Sequence, residues 1–434
     1  MGFQEIADIL YSNTQLLNII RCHDELDRYK LSNLMNQSWP TISKSIEELK
    51  KHNILDDKNG YQINSKLGFY VGISVGGSQI KLSIIDFTLQ PLCFSQFIDL
   101  INKYSLFNNL QGVKYARPGQ DYGYIYLETP DSTSELQNII DGLLSEVIKL
   151  DKNIVEYGQH IYGVGLAFTG AIDNESKKII QAYSLKCFDT LPLSYDSLIY
   201  NSRLSYFNTN NIRFAMDNIA KAAIISEKFS LYNRNNFNNI YSYKKNIACI
   251  YLGSGLGGAL IFNNILYRAT SNFNELGHID VIDPDFFDPN ISCNSDGETC
   301  SCGGKTCLEF KIRKYVFGLS YDKFKTQTAN ELVEYFNKLD NKEYRLHLLA
   351  FYISQAIKTL TNILNIDLVI LTGKLTAFMD DLSKYLYEEK SKNPIGYTNS
   401  DCTMITSTYG ALAPSIGAAI LSSFPEDLHL IEWK

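Results

Sequence analysis

Two glycine-rich turns, each set between apolar runs, constrain this chain more than any other feature. Phe69-Tyr70-Val71-Gly72-Ile73-Ser74-Val75 leads into Gly76-Gly77-Ser78, and a second apolar run follows from Gln79 to Phe87. Further on, Ile247 to Leu252 leads into Gly253-Ser254-Gly255-Leu256-Gly257-Gly258, followed by Ala259 to Phe262. Short apolar runs punctuated by glycine read as strands joined by tight turns. Gly76, Gly77, Ser78, Gly253, Gly255, Gly257 and Gly258 could equally hold an oxyanion through backbone N–H groups. Strand–turn–strand order differs from the strand–turn–helix of a dinucleotide fingerprint, and the Gly-Lys-Ser/Thr ending of a P-loop is missing. Helical patterns such as Thr133 to Leu150 alternate with strands such as Ile161 to Phe168, which predicts a mixed α/β body.

Residues 1 to about 66 differ in character. Leu16, Leu17, Ile19 and Ile20 give one apolar face, Tyr29 to Asn36 a short helical stretch, and Pro40 suits the first turn of a helix carrying Ile42, Ile46 and Leu49. Ile54-Leu55 and Tyr61-Gln62-Ile63 flank a turn at Asn59-Gly60. Three helices and a hairpin make a winged helix-turn-helix, whose recognition helix would run from about Thr41 to His52. Thr41, Ser43, Lys44 and Ser45 crowd its N-terminal part, where side chains reach bases or phosphates, and Lys50 and Lys51 lie at its far end. The eight basic and nine acidic side chains of residues 1–66 leave a helical dimerisation module open as the alternative.

The chain has 434 residues, room for two or three domains. Hydrophobic residues make up 45% and charged residues 20%, which excludes wholesale disorder. A net charge of −7 excludes coating nucleic acid by bulk positive charge, but not a small DNA-reading module on an acidic body. The start MGFQEIADILYSN carries early acids and lacks a long apolar run, and the chain has no apolar stretch of about 18 residues. No leader and no membrane partner are expected, and the cytoplasm is the expected location.

Nine cysteines form no obvious disulfide framework. Four of them, Cys293, Cys300, Cys302 and Cys307, crowd into residues 293–307. Gly303 and Gly304 let the chain turn around a small ion between Cys302 and Cys307. With His278 upstream, Cys300, Cys302 and Cys307 make a four-ligand set suited to structural Zn2+, with no position left open for chemistry. Cys293 is a spare ligand, and free buried cysteines are the alternative. Asp217, Glu275 and His278 form a polar set able to read sugar hydroxyls in a cleft. Asp217 could also serve as a base toward a hydroxyl attacking a phosphoryl group, or simply as the N-cap of the alanine-rich helix after it.

Glu275-Leu276-Gly277-His278, followed by Cys300-x-Cys302-Gly303 and Cys307-x-Glu309, resembles the zinc motif of the ROK family (repressors, uncharacterised reading frames and sugar kinases), with the sugar-contacting acid and histidine just before it. Thr306 stands at the family's usual glycine. Val71 to Ile80 and Gly253 to Leu260 resemble its two glycine stretches. Thr169 to Asp173 is similar to its proline-glycine-proline turn without the prolines, and Gly410 to Ile420 to its closing segment before the last helix. The resemblance implies a two-lobed, actin-like/ribonuclease H-like ATPase body behind an N-terminal winged helix-turn-helix. The expected division is a DNA-binding domain at 1–66, a smaller α/β lobe at 67–190 to which a C-terminal helix at 415–434 returns, and a larger α/β lobe at 191–414 with the zinc site and a dimer interface.

Fusion of a winged helix to this body resembles the family's repressor branch. That implies a sugar-responsive transcriptional regulator, a homodimer on a double-stranded DNA operator, with a sugar or sugar derivative as effector. Three departures bear on catalysis. Ser74 replaces an aspartate that helps manage phosphates and Mg2+. Thr372-Gly373 replaces a glycine pair, and Lys374 after it crowds the adenosine side. Met216 and Ile219 replace asparagines near Asp217, which aligns with the catalytic base. The segment from Lys58 to Phe69 also lacks the arginine- and proline-bearing turn of many family repressors. The expectation is therefore a protein that is not an enzyme, with Asp217 a vestigial base; an ATP-dependent sugar kinase is the alternative.

Overall fold

A computed structural model describes residues 3–23, 26–57, 60–116, 121–182, 185, 193–233, 244–268, 275–288, 298–392 and 402–424. The chain opens with α1 (Phe3–Ser12), α2 (Thr14–Cys22), α3 (Arg28–Met35) and α4 (Trp39–Lys51), one helix more than expected. The break falls at Asn13, whose amide side chain donates to the Ile9 carbonyl at 2.9 Å and so competes with the helix backbone. Asp27 caps α3 by accepting the Lys30 N–H. Pro40 lies in the first turn of α4, which buries Ile42, Ile46 and Leu49 along one stripe. β1 (Leu55–Asp56) and β2 (Gln62–Ile63) then pair antiparallel.

The first large sheet has the order β11-β7-β3-β4-β6-β5. Its strands are β3 (Gly68–Val75), β4 (Gln79–Asp86), β5 (Lys114–Tyr115), β6 (Tyr124–Glu128), β7 (His160–Phe168) and β11 (Arg213–Asn218). Helices α5 (Phe94–Tyr104) and α6 (Thr133–Ile154) punctuate it. A three-stranded flap, β8 (Ala171–Asp173), β9 (Lys178–Gln181) and β10 (Leu193–Ser194), precedes α7 (Tyr195–Leu198) and α8 (Asn201–Thr209). The sheet extends past residue 190, because β11 pairs in parallel with β7. β3 is buried along its whole length, so it lacks polar alternation. Val71, Ile73 and Val75 share a core with Leu136, Ile140 and Leu143 of α6.

The second sheet follows α9 (Ile219–Asn233) and has the order β14-β13-β12-β15-β16. Its strands are β12 (Ile247–Leu252), β13 (Leu256–Phe262), β14 (Ile265–Leu266), β15 (Leu368–Gly373) and β16 (Thr403–Thr406). Helices α10 (Leu308–Lys311), α11 (Tyr321–Thr326), α12 (Ala329–Phe336), α13 (Lys342–Leu364) and α14 (Met379–Ser391) fill out this half. Alternate residues of β12 face opposite cores, Ile247 and Cys249 toward α9, Ala248 and Ile250 toward α13.

The last described helix, α15 (Ala413–Ser422), packs on β3, β4, β7 and β11 of the first sheet. Residues 425–434 of the expected helix, like Cys293 and the Asn59 turn, lie outside the described residues. Gly410–Leu412 is a short 3-10 turn, so the segment resembling a lead-in already carries the start of the helix itself. A Cβ added at Gly72 would come within 1.8 Å of the Ser415 carbonyl oxygen, and one at Gly417 within 1.7 Å of that of Ala222 in α9. Helix and sheet thus meet backbone to backbone, which only glycine permits.

One continuous apolar core joins the N-terminal helices to α9 and α15. Arg21 of α2 donates to the Phe87 carbonyl at 2.8 Å and lies 5.2 Å from that ring's centre. Gly417→Ala should cost about 3 kcal/mol of stability, since backbone cannot step aside as a side chain does. Gly112→Ala, which meets nothing within 4 Å, should cost about 1 kcal/mol for its positive φ alone. Urea unfolding of both variants checks the contrast.

Candidate functional site

A cleft of about 370 Å³ opens where the two glycine turns meet. Ser74, Gly76, Ser78, Gly253, Gly255, Gly257, Gly258, Glu275 and His278 all line it. The Gly77 N–H donates to the Ser254 hydroxyl at 3.0 Å, so the two turns, 177 positions apart in the chain, are tied directly. Gly76 closes its own turn by donating to the Gln79 carbonyl, and Gly253 donates to that of Gly255. These bonds occupy three of the N–H groups that could otherwise face an anion. Glu309, 7% exposed, accepts the Leu256 N–H and fastens the second turn to the cysteine loop. Burial raises its carboxyl above the usual range, and the Leu256 N–H opposes that rise.

The cysteine loop is assembled by backbone pairing. Val281 donates to the Thr306 carbonyl and Leu308 to that of Ile279, which brings His278 beside Cys307. The Cys300 N–H donates to Gly304, and Gly303 turns with φ +88°. A Cβ at Gly304 would lie 2.8 Å from the Cys307 sulfur, so the tight turn requires glycine there. The ligand atoms of His278, Cys300, Cys302 and Cys307 all lie within 4.8 Å of one another. Cys300 Sγ is 3.3 Å from His278 Nδ1, and Cys302 Sγ 3.3 Å from Cys307 Sγ. A tetrahedron with metal–sulfur bonds of about 2.3 Å has edges of about 3.8 Å, so this set could hold a metal ion. Burial and the neighbouring thiols push the Cys307 thiol well up. A bound cation is what would let such crowded thiols ionise together. The other ring nitrogen, Nε2, lies 3.7 Å from Glu275 Oε2. His278 thus faces the cysteines with one nitrogen and the cleft with the other.

Asp217 is placed differently from Glu275 and His278. It is 1% exposed and does not line the cleft. Its carboxylate accepts from Arg268 Nη2 at 2.6 Å and Nε at 3.1 Å. Asp217 does not cap α9 either. Asn218 does so, accepting the Ala220 and Lys221 N–H groups, and its side chain also donates to the Gly170 carbonyl. Sequence reading missed Arg268, for which a lone arginine after a strand offers no signal. Glu309 was visible only as a residue after the last cysteine.

In the N-terminal module, Thr41, Lys44, Lys50 and Lys51 are exposed on α4, while Ser43 and Ser45 are half-buried. Thr41 Oγ1 lies 3.0 Å from the Ser38 hydroxyl at the helix start. Lys50 pairs with Asp57 at 2.7 Å, so the far end of the helix is tied to the residue just after β1.

Residues 126–423 match the ROK family. The xylose repressor of Bacillus subtilis (strain 168) is 22% identical over 93% of this chain and 92% of its own. A glucokinase of Halalkalibacterium halodurans is 24% identical over 73% of this chain and 83% of its own. A crystal structure described as a ROK family transcriptional regulator, homologue of the E. coli MLC protein, covers 98% of this chain and 99% of that one, with TM-score 0.65 and 14% identity. The body has the two-lobed actin-like fold of such structures. No described helix is long and apolar enough to cross a membrane.

The expectation that the protein is not an enzyme is corrected by these relatives. Glucokinases stand beside the xylose repressors among the curated relatives, and a glucokinase and a hexokinase among the similar solved structures, which points to enzymatic capability rather than none.

The Asp217–Arg268 pair supplies a prediction. Arg268→Ala should cost about 3 kcal/mol by leaving a buried carboxylate unpaired. Adding Asp217→Asn to it should cost less than the two single changes summed, as denaturant melts of the double-mutant cycle would show. The matched segment covers more than half of the chain and includes the second glycine turn and the cysteine loop: the chain belongs to the ROK family, with a sugar-related function.

Proposed function

We propose that the protein is a sugar-responsive, DNA-binding transcriptional regulator, a repressor acting as a homodimer, in which residues 1–66 read the operator and the two lobes bind a sugar or sugar derivative. The observation that carries this reading is α9. Its first residues, Ile219, Ala220 and Lys221, line the cleft. Further along, Phe229 packs in the core that also holds Leu16 and Ile20 of α2. A sugar that changes the set of the lobes would therefore move a rigid helix against the DNA-reading module. The full-length likeness to the regulator structure and to the xylose repressor supports the same reading.

In this reading Glu275 and His278 contact the sugar, and Asp217 joins them once Arg268 is displaced. Zn2+ is held by His278, Cys300, Cys302 and Cys307, and its role is to stiffen the loop carrying Glu275. Thr41, Ser43, Lys44 and Ser45 meet the DNA, with Lys50 and Lys51 at the phosphates.

Fluorescence anisotropy with a fragment of the adjacent promoter tests the proposal. Binding should be salt-dependent, and Lys44→Ala should lower the slope of log K against log salt by about one unit. Absence of binding to any promoter fragment at low salt would remove the DNA-reading assignment. Elemental analysis should find one equivalent of zinc in the parent protein and none in Cys302→Ala, which should also lose the sugar-induced change in DNA affinity.

A second reading is phosphorylation of a sugar by the same cleft. The position of Asp217 near the end of β11, just ahead of the cleft-lining Asn218, Ile219 and Ala220, favours it, as do the glucokinase relatives. Sugar-dependent ATP turnover in a coupled assay, abolished by Asp217→Asn, is its test.

A further inference from the structure

The two ends of the cleft differ in charge. Around the cysteine loop its wall carries Glu275, Glu309 and His278. The far end carries Lys81 of β4 and Lys374, just after β15, together with Ser74 and residues Thr328–Asn330 at the start of α12. Lys81 Nζ donates to the Ala411 carbonyl at 3.3 Å, and the neighbouring Gly410 carbonyl accepts from Thr372, two residues before Lys374. The short turn at 410–411 therefore ties Lys81 to the strand that leads into Lys374, and the charges of the two lysines act on one another.

We propose that this end binds the phosphate group of a phosphate ester directly, through Lys81 and Lys374, without a bridging divalent cation. The proposal concerns the cleft alone and stands whether or not the N-terminal module binds DNA.

An ammonium has three donors, and each of these uses one on a backbone carbonyl: Lys81 on Ala411, and Lys374 on Phe324 at 3.1 Å. Among the described residues, no carboxylate lies within 4.0 Å of either lysine. The nearest acidic influence on Lys374 comes from Glu331, whose carboxylate is engaged with the Thr328 N–H in the cap of α12. Lys374 is 7% exposed, and burying a cation without a counter-charge is costly. Burial lowers Lys81 to about 8 and Lys374 to about 7, and the charge of Lys81 adds to the second shift. A dianion seated between them would offset the desolvation and the mutual repulsion together. Ser74, 3% exposed, presents a neutral hydroxyl in the same wall. That end of the cleft thus offers two amines that a bound anion would hold protonated, and no carboxylate to hold a metal ion. The start of α12 adds backbone dipoles of the same sign, although Thr328 and Glu331 already cap part of it.

Titration calorimetry on the full-length protein in EDTA tests the proposal with pyrophosphate, a hexose 6-phosphate and ATP, and with the unphosphorylated hexose as control. At least one phosphate probe should bind in EDTA, with no tightening when Mg2+ replaces the chelator. Lys81→Met and Lys374→Met should each weaken that binding at least tenfold and leave binding of the neutral hexose and the melting temperature unchanged. Tightest binding by hexose 6-phosphate identifies a sugar phosphate as the source, and tightest binding by ATP a nucleotide. No binding by any probe at millimolar concentration overturns the proposal. So does binding that requires Mg2+, or binding unaffected by both substitutions. If Lys374→Met fails to fold, Lys81→Met alone decides. Loss of phosphate binding with hexose binding intact would leave the sugar-sensing reading standing, and the reverse result would leave this one.

Discussion

The backbone contact of α15 is the interaction on which the rest of the structure depends. Gly72 of β3 and Gly165 of β7 let the helix settle on the central strands of the first sheet, and Gly417 lets it settle against α9. Three glycines from separate parts of the chain thereby lock the first sheet, the last described helix and the helix between the sheets into one body. The same core reaches the N-terminal helices. Small displacements of α9 cannot be absorbed by loosely packed side chains, because the contacts are between backbones.

The cleft inherits its shape from that arrangement. β3–β4 presents one glycine turn and β12–β13 the other, and the Gly77–Ser254 hydrogen bond brings them together. The cysteine loop is attached through Glu309, which bonds Leu256 beside the second turn. Metal-ligand set, cleft wall and glycine turn are then neighbours through two residues, His278 and Glu309. A stiff metal loop would fix the position of Glu275, since the turn from Glu275 to His278 is closed by its own backbone bond.

The charged groups of the cleft divide into paired and unpaired. Asp217 is neutralised by Arg268 and withdrawn from the cavity, whereas Lys81 donates to the Ala411 carbonyl and Lys374 to the Phe324 carbonyl, with the Phe324 ring also 4.8 Å from its ammonium. That difference sets what each end can recognise. Hydroxyl groups suit the Glu275 and His278 end, and an anion suits the lysine end.

Much of this was legible in the chain itself. Apolar runs around Gly76–Ser78 and Gly253–Gly258 determined two hairpins, and Cys300, Cys302, Cys307 and Gly304 determined a tight thiol-rich turn, because period and turn chemistry are local properties. Ile42, Ile46 and Leu49 likewise marked the buried stripe of α4. The break at Asn13 was missed because a side-chain amide bonding its own helix leaves no gap in the apolar pattern. The pairing of β11 with β7, the burial of Asp217 behind Arg268, and the meeting of Lys81 with Lys374 were decided only by the tertiary structure. Each joins residues tens to hundreds of positions apart, and which charge finds a partner depends on the packing of whole sheets and helices rather than on any spacing along the chain.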